Sequence, residues 1–123
     1  MITDISVWPG VETGGILMGR MSEISRTFYV VDILAAPPDS QRSATCFSLG
    51  VMGLQSALKE YSERHGWSLY CLGTWHSHLG SSTPSGLDNL TARSVALARI
   101  APSLLLIKSP DGYSALVADA ASI

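Results

Sequence analysis

Two histidines one residue apart, His76 and His78, lead into Ser85 and Asp88 within the stretch GTWHSHLGSSTPSGLD at 73–88. In an extended strand successive side chains alternate faces, so both imidazoles project to one side while Trp75 and Ser77 project to the other. Two imidazoles on one face can hold one metal ion. Zinc takes nitrogen and carboxylate oxygen ligands at about 2.0 Å, within reach of such a pair once a third ligand folds back over them. The segment from Leu79 to Pro84 is polar and turn-rich, which allows that return and delivers Ser85 and Asp88 to the start of an expected helix. Asp88 then becomes the third ligand. Three protein ligands leave an open position for water, the arrangement of a catalytic rather than a structural zinc. The water's proton needs an acceptor, and a carboxylate is available far upstream: Glu12, in ETGGILMG, beside Gly14 and Gly15, whose missing side chains let backbone pack close to another element. Ser85 is suited to hydrogen-bond the oxyanion formed opposite the metal.

Each of these residues also has a plainer reading. Ser85 and Asp88 fit the start of a helix, with the serine at the cap and the aspartate favoured by the helix dipole. A His-Ser-His at a strand end can be polar surface, and a Glu before a Gly-Gly pair can be a solvated turn residue. His65, at a helix end before Gly66, suits the dipole there and receives no catalytic role. Trp8, Trp67 and Trp75 read as packing residues. Leu79 is open between touching substrate and packing.

The ordered set of a distant Glu, then His-x-His, then Ser-x-x-Asp resembles the JAMM (MPN-type) metalloproteases, and the resemblance implies a family domain that covers nearly the whole chain. A four-part ordered motif is far more specific than a lone His-x-His. The resemblance implies Glu12 as general base, His76, His78 and Asp88 as ligands of one zinc per chain, and Ser85 as oxyanion partner. It also implies a deaminase-like three-layer fold and a peptidase or isopeptidase cleaving after the C-terminal tail of a ubiquitin-like protein; a site at a strand end suits a tail that binds extended along a sheet edge. The alternative is a noncatalytic scaffold of the same fold, although such scaffolds typically lack part of the metal set. This chain departs from the family pattern in two places. Leu79 stands where the family usually has proline, and the connection from His78 to Asp88 is one residue shorter than usual. Family members commonly carry a further strand or helix before the Glu. A minimal domain, a truncated one, and one completed by a partner are all consistent with the eleven residues that precede Glu12.

The elements that must position these residues follow from the hydrophobic pattern. With 123 residues and 46% hydrophobic content, the chain reads as one domain able to bury its own core. Its net charge of −2, with basic residues scattered singly, lacks the footprint of a nucleic-acid binder, including that of relatives associated with DNA repair. No leader-like or membrane-spanning run is present, so the expected location is cytoplasmic. Cys46 and Cys71 are expected as free thiols.

Residues 2–8 read as a short strand, 14–21 and 26–35 as a hairpin, and 36–46 as a loop. From Phe47 the apolar spacing becomes helical (Phe47, Val51, Leu54, Leu58, Tyr61) and stops at Gly66, with Gly50 and Gly53 weakening its first turn. Residues 67–75 form an apolar strand running into His76; being apolar on both faces, it belongs in the middle of a sheet. A second helix over 85–101 and a closing hairpin of SLLLIK and YSALVA around the Ser109–Gly112 turn complete an α+β fold, a mixed sheet flanked by helices.

Overall fold

The computed structural model describes residues 9–80 and 103–118. Within them a mixed five-stranded sheet carries the architecture. Strand β1 (Gly14–Ser22) pairs antiparallel with β2 (Thr27–Ala35) on one side and with β5 (Tyr70–Ser77) on the other. Strand β6 (Ser103–Ser109) runs parallel to β5, and β7 (Gly112–Ala118) closes the sheet antiparallel to β6, giving the order β2-β1-β5-β6-β7. The two expected hairpins form, and the strand that leads into the histidines is the central one.

Among the described residues three apolar clusters hold the sheet, one of them Leu105, Ile107 and Ala118 with Leu116 packed against it, joining β6 to β7. Ile16 and Met18 of β1 meet Tyr61 of the helix α1 (Leu54–Arg64), with Leu34, Leu54 and Leu58 packed against them. Leu17, on the alternate side of β1, joins Leu72, Trp75 and Leu104. Alternation along one strand thus feeds one cluster under the helix and another across β5 and β6. Trp75 is buried as expected, whereas Trp67 is exposed. Its backbone explains why: Trp67 has a positive φ of 64° and belongs to the turn after α1, not to the strand.

The segment before α1 departs most from the sequence reading. The loop over 36–46 contains a two-residue strand β3 (Gln41–Arg42), which pairs with β4 (Phe47–Ser48). Phe47 is therefore in a strand, and the helix begins seven residues later at Leu54. The start is fixed by Gly53, whose φ of 70° breaks helical geometry, and by Asp39, whose carboxylate accepts the N–H groups of Val51 (3.0 Å) and Met52 (2.9 Å). These bonds hold the preceding residues in a non-helical loop despite their helical spacing.

The end of α1 agrees with the sequence. Gly66, at φ 61°, follows the last turn. The Trp67 N–H donates to the Ser62 carbonyl (2.7 Å) and the Gly66 N–H to the Glu63 carbonyl (3.1 Å), the paired bonds of a Schellman termination. Both cysteines are half-buried thiols. No helix among the described residues is long and apolar enough to cross a membrane. The expected strand over 2–8 and the expected helix over 85–101 lie outside the described residues.

Candidate active site

His76 occupies the penultimate position of β5 and is held from both sides, opposite Gly14 of β1 and Ile107 of β6. His78 lies just beyond the strand, yet its N–H donates to the Lys108 carbonyl at 2.8 Å, continuing the parallel ladder by one step. Rigid backbone thus carries both imidazoles. Their rings stack at 28° with centroids 5.0 Å apart, and the two Nε2 atoms approach to 3.1 Å. His76 is buried and His78 half-buried. The strand alternation read from the sequence therefore brings the two nitrogens together.

That separation suits a shared metal. Two nitrogens bound to one tetrahedral zinc at 2.0–2.1 Å would lie about 3.3 Å apart. Among the described residues no three His, Cys, Asp or Glu side chains gather into a metal-binding group, so a metal centre built on this pair needs a ligand from elsewhere. Asp88 and Ser85, the two expected contributors from the following segment, lie outside the described residues.

Glu12 is buried, two residues ahead of the position that faces His76. Close approach at this crossing depends on glycine. A Cβ on Gly14 would run into the Trp75 carbonyl and the Phe47 ring, and one on Gly15 would meet the Leu34 carbonyl at 2.7 Å. The glycine context of Glu12 thus lets β1 lie tightly between β2 and the end of β5. Leu79 is exposed rather than packed, which leaves it available at the mouth of the site.

Three polar residues to which the sequence reading gave no role form a bonded set that begins at the residue after Glu12. Thr13 and Ser77 are buried and bonded to each other, and Arg42 reaches Thr13 from the β3–β4 hairpin. Ser77 had a signal in the sequence, since alternation placed it opposite the histidines. Arg42 had none, because its strand is too short to show a period.

Residues 3–118 match the family described as prokaryotic homologs of the JAB domain. The chain belongs to that family. This JAB chain is 43% identical over 86 residues to the CD-NTase/cGAS isopeptidase of Enterobacter hormaechei subsp. hoffmannii (strain UCI 50), an alignment covering 69% of this chain and 46% of the relative. The match thus spans about half the length of that curated relative. The JAB fold also resembles the solution structure of protein DSY2949 from Desulfitobacterium hafniense, with a TM-score of 0.52 and 21% identity over 86% of this chain and 67% of the other. That likeness bears on the fold alone.

Proposed function

We propose that this JAB domain is a zinc-dependent isopeptidase or peptidase that cleaves after the C-terminal tail of a ubiquitin-like protein. The observation that carries the proposal is the 3.1 Å convergence of His76 Nε2 and His78 Nε2 on a strand end fixed from both sides. Imidazole is a favoured zinc ligand, and a carboxylate from Asp88 would complete a three-ligand set with an open position. When bound, zinc supplies Lewis acidity toward a carbonyl and lowers the pKa of water.

The chain's own residues do the rest. Glu12 accepts the proton of the attacking water and returns it to the departing amine, work suited to a buried carboxylate held in one place. Ser85 donates a hydrogen bond to the oxyanion. In this reading the whole chain is one domain, and the helix over 85–101 completes the three-layer, deaminase-like arrangement around the sheet. The Enterobacter relative is named an isopeptidase, which favours cleavage of an isopeptide bond over a linear peptide bond in this reading.

Elemental analysis combined with cleavage of a ubiquitin-like fusion tests the reading. Wild type and Glu12→Gln should each carry about one zinc per chain, with cleavage by wild type alone. His76→Ala, His78→Ala and Asp88→Ala should each lose the metal. Full zinc content in all three, or undiminished cleavage by Glu12→Gln, would overturn the assignment.

A further inference from the structure

The middle residue of His-Ser-His points away from the imidazoles, and its contacts lead to a second set of residues. The Ser77 N–H donates to the Thr13 carbonyl at 2.8 Å, and the Thr13 N–H donates to Ser77 Oγ at 2.9 Å. Thr13 is fully buried, so these bonds form away from water and fix the chain immediately after Glu12 against the strand that bears the histidines. The Thr13 hydroxyl in turn accepts a hydrogen bond from Arg42 Nε at 2.8 Å. The Arg42 guanidinium lies over the Phe47 ring, 5.6 Å from its centroid, and Phe47 itself crowds Gly14.

The next residue of the same hairpin holds Glu12 directly. The Glu12 N–H donates to the Ser43 carbonyl at 2.7 Å, and the Ser43 N–H to the Cys46 carbonyl at 2.9 Å across the β3–β4 turn. Glu12 therefore sits between two anchors supplied by neighbouring residues. Ser43 takes its own amide, while Arg42, through Thr13, takes the residue that follows.

We propose that the β3–β4 hairpin is a clamp that positions Glu12, with Arg42 as a positioning residue acting through the Thr13 hydroxyl. The proposal rests on the reading of Glu12 as general base. A base must stand within about 2.6–3.2 Å of the atom whose proton it takes, and a misplacement of roughly 1 Å can cost about 10²-fold in rate. Arginine suits the task because its planar guanidinium stacks on an aromatic ring while directing a fixed N–H. Lysine offers a flexible point charge and cannot do both.

The test compares Arg42→Ala, Arg42→Lys, Thr13→Val and Thr13→Ser, with the Arg42→Ala/Thr13→Val double variant, in the full chain. Amide hydrogen exchange followed by NMR requires neither metal nor substrate. Arg42→Ala and Thr13→Val should speed exchange at the Glu12 amide about 10-fold while leaving Leu105 and Ile107 in β6 unchanged. Where Arg42→Ala fails to fold, Arg42→Lys and Thr13→Val carry the same comparison.

On a ubiquitin-like fusion, Arg42→Ala, Arg42→Lys and Thr13→Val should each lose roughly 10-fold to 100-fold in kcat with KM and zinc content retained. Thr13→Ser should restore the rate because it keeps the hydroxyl. The double variant should be no slower than the slower single, since both remove one connection. Unchanged Glu12 exchange in Arg42→Ala and Thr13→Val, or multiplying losses in the double, overturns the clamp. A wild type that cleaves no such fusion overturns the proposed function instead, and the exchange measurement still decides the clamp.

Discussion

Gly14 stands directly opposite His76 across the β1–β5 ladder, two residues after Glu12. The pairing couples two parts of the chain separated by more than half its length, and it tolerates no side chain at position 14, where the Trp75 carbonyl and the Phe47 ring close the space. Gly14→Ala must push β1 away from β5 or displace the Phe47 ring. Overpacking of this kind costs about 1–3 kcal/mol, which for a chain of this size lowers Tm by about 4 °C per kcal/mol. Thermal melting of the variant checks it, and an unchanged Tm would show that the crossing yields freely.

A second expectation concerns acid. The Asp39 carboxyl is held below its ordinary value of 3.8, first by the Val51 N–H and then by the Met52 N–H, both of which favour the charged form. A carboxylate whose folded value is depressed stabilises the fold above its unfolded value, and that contribution disappears as pH falls through the folded value. The residue fixes the loop that ends at the start of α1. Wild type should therefore melt above Asp39→Asn at about pH 7, and the gap should close as pH falls below 3.8 and through the lowered folded value. A gap that persists undiminished in acid would assign the effect to shape rather than charge.

Strong periods were legible in the sequence, and short elements were not. Strands β1 and β2, the SLLLIK and YSALVA pair and the Gly66 stop appear where the pattern put them, and β5 begins three residues later than expected, at Tyr70. The central place of β5 followed from its being apolar on both faces. The helix start was misread because Phe47 and Val51 continue the spacing of Leu54, Leu58 and Tyr61, while the deciding contacts come from Asp39, more than ten residues upstream of that loop. Non-local capping leaves no local period. At the site, the same alternation that paired His76 with His78 sent Ser77 to the other face, yet its partners Thr13 and Arg42 become visible only when β1, β5 and the small hairpin are assembled.

Ser85 separates two roles that the sequence left side by side. As an oxyanion donor it should cost roughly 10²-fold to 10³-fold in turnover when changed to alanine. As a helix cap alone it should cost about 1 kcal/mol of stability and leave the rate near normal. Both roles predict that Ser85→Ala keeps its zinc. Turnover and Tm measured on the same preparation distinguish them, and an unaltered rate would retire the oxyanion role.

The position of β5 also constrains how a substrate can arrive. Both edges of this strand are occupied, by β1 and by β6, so a peptide cannot add to it and must reach His76 and His78 past the strand's end, where Leu79 is exposed. On the proposed function, the substrate residues next to the scissile carbonyl would have to pass close to the backbone at that end. A Gly-Gly tail meets that demand because it carries no side chains and adopts backbone angles forbidden to other residues. A ubiquitin-like fusion ending in Gly-Gly should be cut after the second glycine. Replacing the pair with two leucines should abolish cleavage while zinc content stays the same, since the substitution lies in the substrate alone. Mass spectrometry of the products reads both the position and the loss. Cleavage of unrelated sequences with equal efficiency would mark a general peptidase, and the ubiquitin-like substrate class would have to be given up.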